Sequence, residues 1–351
     1  MQYNGWDREY LENKESYYKL FDKIMQQDNE KNVEFLEKKV ALLANREYGV
    51  AVNSATDALY FSLMSYNIGT GDEVLVSDFS WISSASSISM TGASPVFCDI
   101  DLESYHISFE EIKKKTTSKT KAIIYTHLFG NMVDVSHILE YCKDNNIIFI
   151  EDAAQSLGSS LNGISAGSIG DISSFSFNNN KVIAGVSGGG IVLTDNENIA
   201  NYIKKIRRHG KDKDFEMLGY NSKMFYFNAA VIDFRLDKLK EWQLRRQDIA
   251  RFYNDNFVDL PVHIQIATNG LNHNYHKYVV RFEEECVRGL IKEKLNASIH
   301  YDKALSENNL YKNVGCTNAK KVSRTILSLP IHPWLRQEEI EKISNTIMLL
   351  S

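Results

Sequence analysis

Short apolar runs alternate with stretches of helical apolar spacing along most of the chain. The runs are four to six residues long, which is typical of strands that are buried on both faces. The predicted strands are residues 48–52, 73–76, 94–98, 122–126, 147–150, 172–177 and 191–194. The predicted helices are residues 32–44, 58–66, 83–90, 135–144 and 236–253. This alternation predicts an α/β fold with a mostly parallel central sheet and helices on both faces.

Side chains that are suited to binding or catalysis cluster between residues 151 and 194. Glu151 and Asp152 stand where the strand at 147–150 is expected to end, and Lys181 follows the next predicted strand. Open α/β sheets bind ligands at the C-terminal ends of their parallel strands, so the acid and the lysine are expected to face one ligand. A lysine amine in a crowded, partly dry loop is a candidate for imine formation.

A polar turn at residues 53–59 opens one of the predicted helices. Ser54 or Thr56 is suited to cap this helix, and Asp57 suits its first turn. The free backbone N–H groups at such a start bind phosphate. The alternative interpretation is a capped helix with no ligand.

Composition and charge narrow the class of protein. A chain of 351 residues predicts one large and one small domain, and its net charge of −5 argues against nucleic acid as a partner. The four cysteines are far apart and form no CxxC pair, which predicts no metal site and fits a reducing cytoplasm. The polar first residues and the absence of a long apolar run predict neither a signal peptide nor a membrane span.

Three motifs resemble those of one enzyme family. They are EDAAQ at 151–155, SFNNNK at 176–181 and SGGG at 187–190. The sequence resembles the DegT/DnrJ/EryC1/StrS family of nucleotide-sugar aminotransferases, which use pyridoxal 5′-phosphate (PLP). The resemblance implies the fold-type-I PLP transferase architecture, similar to aspartate aminotransferase. It also implies an N-terminal arm at 1–11, a large PLP-binding domain at 12–240 and a small C-terminal α/β domain at 241–351.

The resemblance assigns the catalytic roles to two residues. Lys181 is implied to form the imine with the cofactor aldehyde and then to act as the base that moves a proton. Asp152 is implied to keep the pyridine nitrogen protonated, which makes the ring an electron sink. Glu151 is the less favoured ring partner, because the family places this role on the second acid of the pair.

The resemblance also implies how the rest of the cofactor is held. Trp81 covers the ring face, Gln155 contacts the region of the ring hydroxyl, and Ser176 contributes to the phosphate site together with the amides of Ala55 and Thr56. Asn221 matches an asparagine that the family supplies from a second subunit. A homodimer with shared active sites is therefore implied.

The implied substrates are L-glutamate and a keto-sugar linked to a nucleoside diphosphate, for surface polysaccharide or glycoconjugate synthesis in the cytoplasm. Asn179 lies where enzymes that aminate C3 tend to have proline, and Gly188 lies where many relatives have an acid. Both features favour amination at C4 of a 4-keto-6-deoxy sugar. The alternatives are amination at C3, a dehydratase, or a regulatory protein that binds PLP without turnover. Ala55 and Lys223 are further departures from the family pattern.

Overall fold

The computed structural model describes residues 4–26, 30–265, 267–283, 285–295, 297–312 and 316–350. Its helices are α1 Trp6–Gln26, α2 Glu30–Leu43, α3 Ala55–Ser65, α4 Ser83–Thr91, α5 Phe109–Lys115, α6 Ser136–Asp144, α7 Glu197–Ile206, α8 Tyr226–Leu236, α9 Leu239–Phe257, α10 Glu285–Leu295, α11 Thr317–Thr325 and α12 Gln337–Leu350. Its strands are β1 Tyr48–Val52, β2 Glu73–Ser77, β3 Ser94–Cys98, β4 Thr120–Thr126, β5 Ile148–Asp152, β6 Ser160–Leu161, β7 Ile164–Ser165, β8 Ile172–Ser176, β9 Gly190–Thr194, β10 Val262–Ile264, β11 Leu271–Asn272, β12 Tyr278–Phe282 and β13 Ile326–Leu329.

A seven-stranded sheet forms the centre of the larger part of the chain, in the order β1-β9-β8-β5-β4-β2-β3. The pairs from β8 through β3 are parallel, whereas β9 runs antiparallel to both of its neighbours. The predicted α/β fold with a mostly parallel sheet is therefore confirmed. The C-terminal ends of β2, β4, β5 and β8 meet at one edge of this sheet.

Helices cover both faces of the sheet, which explains why its strands are apolar at nearly every position. Val50 and Val52 of β1 belong to a hydrophobic cluster with α3, α4 and α7. Ala51, between them, points to the opposite face and joins a cluster with α2, α6 and α8. Successive strand side chains point to opposite faces, so one strand contributes to both cores.

The predicted elements differ from the observed ones mainly at their ends. Strand β5 continues through Glu151 and Asp152, because both acids have partners that allow them to be buried. The helix predicted at 236–253 is two helices: Leu236 ends α8, and a turn at residues 237–238 precedes α9. The apolar spacing appears continuous across this turn because Leu236, Leu239 and Trp242 join the same hydrophobic cluster.

The C-terminal part has its own sheet, β10-β12-β13, and its own hydrophobic core. Helix α9 extends across the boundary predicted at 240/241, and α1 extends across the one predicted at 11/12. The short strand β11 pairs with β6, so the C-terminal part also contributes a strand beside the larger part. The division into three segments stays a prediction. None of the helices in the described ranges combines the length and hydropathy that a membrane span requires.

Asp78, directly after β2, fastens the C-terminal part to the central sheet. Its buried carboxylate accepts hydrogen bonds from the backbone N–H groups of Ser306 and Cys316, at 2.7 and 2.9 Å, and from Ser306 Oγ at 2.8 Å. Its carbonyl accepts from the Leu305 N–H at 2.7 Å. Burial raises the pKa of the Asp78 carboxyl, and these hydrogen bonds partly oppose the rise.

Replacing Asp78 by alanine is expected to lower the free energy of unfolding by about 3 kcal/mol, because two buried donors and one part-buried donor lose their acceptor. Asp78→Asn keeps one carbonyl oxygen, so its loss is expected to be about 1 kcal/mol. Urea denaturation measures both values. The control is Asp144→Ala, because Asp144 is exposed at the end of α6. Its free energy of unfolding is expected to stay within about 0.5 kcal/mol of that of the parent. Equal effects from Asp78→Ala and Asp144→Ala would contradict the assigned role of Asp78.

Candidate active site

A cavity of about 300 Å³ lies at the C-terminal edge of the central sheet. Seven of the eight predicted site residues line it, and they are Ala55, Thr56, Trp81, Asp152, Gln155, Ser176 and Lys181. The eighth, Asn221, is exposed and does not line the cavity. Within the described residues, no group of three or more His, Cys, Asp or Glu side chains is arranged to hold a metal ion.

The pleat of β5 separates the two adjacent acids. Asp152 lines the cavity, whereas Glu151 points to the opposite face and accepts from the backbone N–H groups of Gly167 and Ile169, at 2.7 and 2.8 Å. His127 Nε2 lies 3.1 Å from Glu151 Oε1 on that side and is fully buried, outside the cavity. Glu151 therefore shapes a loop, and Asp152 is the acid of the pair that faces the cavity.

Three donors from three different elements hold the Asp152 carboxylate. Its Oδ2 accepts from Ser84 Oγ of α4 at 3.0 Å and from Thr126 Oγ1 of β4 at 3.1 Å. Its Oδ1 accepts from the Ala154 N–H at 3.2 Å. These hydrogen bonds fix the orientation of the buried side chain at the edge of the cavity.

Lys181 lies in an irregular segment between β8 and β9. Its side chain is half-buried, and among the described residues its Nζ has no hydrogen-bond partner. Burial lowers the pKa of the amine to about 8, and the nearby Asp152 carboxylate partly opposes this shift. An amine with this pKa is in part neutral near pH 7, so it is available both as a nucleophile and as a base.

The start of α3 forms the floor of the cavity next to β9. Ser54 caps this helix by accepting from the Asp57 N–H at 3.0 Å. The backbone N–H groups of Ala55 and Thr56 have no acceptor within the helix, and they lie at the helix end that borders the cavity. Gly190 permits this approach, because a Cβ there would lie 2.5 Å from the Ala55 nitrogen. The close packing of helix start and strand makes an anion-binding corner.

Hydroxyl groups extend this corner. Ser176, the last residue of β8, is buried beside it and accepts weakly from the Asn178 N–H at 3.3 Å. Thr56 Oγ1 and Ser83 Oγ lie 2.8 Å apart, so α3 and α4 present their hydroxyls together. Free amides and several hydroxyls at one helix start suit a phosphate group.

Aromatic rings border the other end of the cavity. Trp81 is 57% exposed, and its ring centroid lies 5.8 Å from that of Tyr301. Gln155 is fixed between two groups, because its Oε1 accepts from the Phe129 N–H at 2.9 Å and its Nε2 donates to Tyr301 Oη at 3.1 Å. The cavity therefore has an open aromatic face and an oriented amide.

Four lining residues from the C-terminal part were not among the predicted site residues. They are His276, Lys277, His300 and Tyr301. Burial lowers the pKa of His276 and of Lys277 well below their ordinary values, and it lowers the pKa of His300 to about 3. The motifs that contain them, YHKYVVR at 275–281 and HY at 300–301, were visible in the sequence. Their distance along the chain gave no indication that they face Lys181.

Comparison with known proteins gives one consistent family. A model of the DegT/DnrJ/EryC1/StrS aminotransferase family matches residues 13–348. The chain is 32% identical to UDP-N-acetyl-3-dehydro-alpha-D-glucosamine 3-aminotransferase of Acidithiobacillus ferrooxidans, over 89% of this chain and 86% of that protein. It is also 32% identical to dTDP-3-amino-3,6-dideoxy-alpha-D-galactopyranose transaminase of Aneurinibacillus thermoaerophilus, over 90% and 89% of the two chains.

Solved structures agree with this result. The fold is similar to that of a DegT DnrJ EryC1 StrS aminotransferase from Brucella abortus, with a TM-score of 0.92 at 27% identity, over 99% of this chain and 98% of that one. The expected fold class and the expected family are therefore both confirmed. The chain belongs to the DegT/DnrJ/EryC1/StrS family of PLP-dependent sugar aminotransferases.

Proposed function

We propose that this protein binds PLP and transfers the amino group of L-glutamate to a keto-sugar linked to a nucleoside diphosphate. The observation that carries the proposal is the shared cavity of Lys181 and Asp152, across which the carboxylate influences the pKa of the amine. Both relatives described above are named for amino sugars that carry UDP or dTDP. Family membership and the geometry of the cavity therefore support the same reaction class.

The residues around the cavity fit the cofactor group by group. The helix start at Ala55, with Gly190 packed against it, suits the phosphate, and Ser176 lies beside it. Asp152 suits a protonated ring nitrogen, and Trp81 offers a ring face. When bound, PLP supplies an aldehyde for imine chemistry and a ring that accepts electron density.

Lys181 would serve as the base that moves the proton between carbons. Burial favours its neutral form, so the amine is able to accept a proton near neutral pH. Asp152 would hold a proton on the ring nitrogen, and its three hydrogen bonds keep it aligned. Gln155 would orient the opposite side of the ring through its fixed amide.

Amination at C4 is the specific form of the proposal. Gly188, at a positive φ of 83°, has open space around it and lines the cavity, so it leaves room where many relatives carry an acid. Asn179 stands two residues before Lys181, where a proline is typical of enzymes that aminate C3. The two relatives named above carry the number 3 in their names, so amination at C3 stays the alternative.

The dehydratase alternative is disfavoured by Lys181, because that branch of the family has histidine in its place. A regulatory protein that binds PLP without turnover remains an outcome of the experiments below.

We further propose a homodimer in which Asn221 reaches the partner's site. Its exposure, and that of Phe225 and Leu218 nearby, supports a partner surface at this loop. The free cysteines Cys98, Cys142 and Cys316 fit a reducing cytoplasm.

Lys181 is expected to be the attachment site of PLP. Protein reconstituted with PLP is reduced with borohydride, digested and analysed by mass spectrometry, and the added mass is expected on the peptide that contains residue 181. Lys181→Ala is expected to lose this adduct, whereas the exposed Lys121→Ala keeps it. Attachment of PLP at Lys277, the other lysine that lines the cavity, would contradict the assignment.

The amine of Lys181 is expected to titrate near pH 8 in cofactor-free protein. Because only the neutral amine reacts, labelling of Lys181 by an amine reagent should rise with pH, with its midpoint at about pH 8. The Asp152 carboxylate favours the protonated form, so Asp152→Asn should shift the curve to lower pH. Labelling of exposed Lys143 in the same digests is the control. An unchanged or higher midpoint in Asp152→Asn would show that the two groups do not interact.

The substrate is tested with a panel of 3-keto and 4-keto sugars linked to UDP, dTDP and GDP, with L-glutamate as donor. We expect the new amino group at C4 of a 4-keto-6-deoxy sugar, located by NMR. Production of 2-oxoglutarate in equal amount would verify the donor. A product aminated at C3 would replace the C4 assignment, and PLP binding without conversion of any sugar would favour the regulatory alternative.

A further inference from the structure

The segment that carries Lys181 has little regular structure of its own. Residues 177–189 form neither helix nor strand. Internal hydrogen bonds close its base, where the Phe177 N–H donates to the Gly189 carbonyl and the Gly185 N–H donates to the Phe177 carbonyl. Buried backbone groups elsewhere in such a segment need partners from outside. Those partners, together with the internal hydrogen bond from the Lys181 N–H to the Asn178 carbonyl, set where the Lys181 backbone lies.

Three side chains supply such partners: Asn228 bonds the backbone of Ser187 and Gly188, whereas Trp6 and Arg235 bond it nearer to Lys181, one on either side. Trp6 Nε1 donates to the carbonyl of Asn179, two residues before the lysine. Arg235 Nη1 donates to the carbonyl of Ala184, three residues after it, at 2.6 Å. Trp6 is the first residue of α1, and Arg235 lies in the last turn of α8. The segment is thus held from two helices that are distant from it in the sequence.

The arginine is itself held by residues of α1. Its Nη2 lies 2.9 Å from Glu9 Oε2, and its Nε donates to Tyr17 Oη at 2.9 Å. Tyr17 Oη in turn donates to Glu9 Oε1, and the guanidinium carbon lies 4.5 Å from the centre of the Trp6 ring. Glu9 is 0% exposed and Arg235 is 8% exposed. We call Trp6, Glu9, Tyr17 and Arg235 the first-helix clamp.

A buried ion pair is a costly way to attach a surface helix. Taking two charges out of water usually offsets their attraction, and apolar residues of similar volume often give equal or greater stability. What the charged pair adds is a fixed orientation of its hydrogen-bonding groups. In the clamp, the pair with Glu9 orients the Arg235 guanidinium so that it donates to the Ala184 carbonyl, three residues after Lys181.

Trp6 also lies beside Lys181, across a small cavity. A small cavity behind the lysine is lined by Trp6, Asn180, Lys181, Arg246 and His276, among others. The Trp6 ring packs on its other side against two indole rings. Its centroid lies 6.1 Å from that of Trp242 and 5.5 Å from that of Trp334. Burial of the amine is the main cause of its low pKa, so groups that pack on this side of Lys181 bear on its titration.

The charged groups around the amine come from several elements. Asp152 at the end of β5 favours its protonated form. Lys277 and His276 precede β12 and lie within electrostatic range, but burial lowers the pKa of each well below its ordinary value. Arg246 of α9 lies on the other side, with Nη1 donating to the carbonyl of Ile331 at 2.6 Å. None of these groups is a member of the clamp.

We propose that α1 positions the catalytic lysine: the first-helix clamp fixes the backbone on both sides of Lys181 and keeps water away from its amine. The residues of the clamp are positioning residues, since they act on Lys181 through Asn179 and Ala184. The inference rests on the proposed function for the role of the amine. It adds that the reactivity of this amine depends on a helix at the far N-terminal end of the chain.

The test compares Trp6→Phe, Glu9→Gln and Arg235→Met with a control on the same helix. Trp6→Phe keeps an aromatic ring and removes the N–H donor. The control is Arg8→Met, because Arg8 binds Glu339 at 2.6 Å and the Trp334 carbonyl at 2.8 Å, and so anchors α1 without touching the segment of Lys181. Thermal unfolding is measured for each variant, so that losses of stability are separated from losses of positioning.

Two readouts report on positioning. In cofactor-free protein, the pH midpoint of Lys181 labelling is expected to rise above about 8 in the clamp variants, because water reaches the amine. In the reconstituted enzyme, kcat is expected to fall roughly tenfold or more, since small misplacements of a reacting group cost about this much or more, while KM for the keto-sugar changes less than about twofold. Arg8→Met is expected to change neither readout, even where its melting temperature falls equally.

Two outcomes would overturn the inference. Trp6→Phe and Glu9→Gln with the parent's labelling midpoint and kcat would show that the clamp does not position Lys181. Equal changes in Arg8→Met would show that docking of α1 in general, and not these contacts, is responsible. The PLP adduct distinguishes this failure from a failure of the proposed function. If the parent protein carries no adduct on residue 181, the proposed role of Lys181 is wrong. If the adduct is present but the clamp variants keep the labelling midpoint and kcat of the parent, only this inference is wrong.

Discussion

The site depends on the electrostatic relation between the Asp152 carboxylate and the Lys181 amine in one partly dry cavity. Burial disfavours the charged form of the amine and lowers its pKa to about 8. Three hydrogen bonds hold the Asp152 carboxylate in one orientation, whereas the amine has no fixed partner among the described residues. One group is held still and the other is left reactive, which is the division that imine chemistry with proton transfer requires.

Sheet geometry produces this arrangement with few residues. Parallel strands bring Asp152 to the cavity edge beside Thr126, and the pleat sends the adjacent Glu151 to the opposite face. There Glu151 accepts from two backbone N–H groups of the loop that precedes β8. Two neighbouring acids in a single strand thus have separate tasks, because successive side chains of a strand point to opposite faces.

The parts of the chain that complete the site are remote from it in sequence. The C-terminal part is fastened through Asp78 and supplies Tyr301, which bonds Gln155 and packs on Trp81. The first helix contacts the backbone before Lys181 through Trp6, and it holds Arg235 of α8, which contacts the backbone after Lys181. A loop with little structure of its own can carry a precisely placed amine only when such outside contacts over-determine it.

The sequence by itself determined the α/β class, most strands to within a few residues, and the residues most suited to chemistry. The spacing of apolar residues, the turn residues and the helix-capping patterns are local features, and EDAAQ and SFNNNK are short motifs. Each of these signals therefore lies within one short stretch of the chain. Only the tertiary structure decided that Glu151 turns away, that His276, Lys277 and His300 border the cavity, and that Trp6 and Arg235 hold the segment of Lys181. Such contacts join residues up to hundreds of positions apart, and a chain's local pattern does not encode which distant side chains meet once the core has packed.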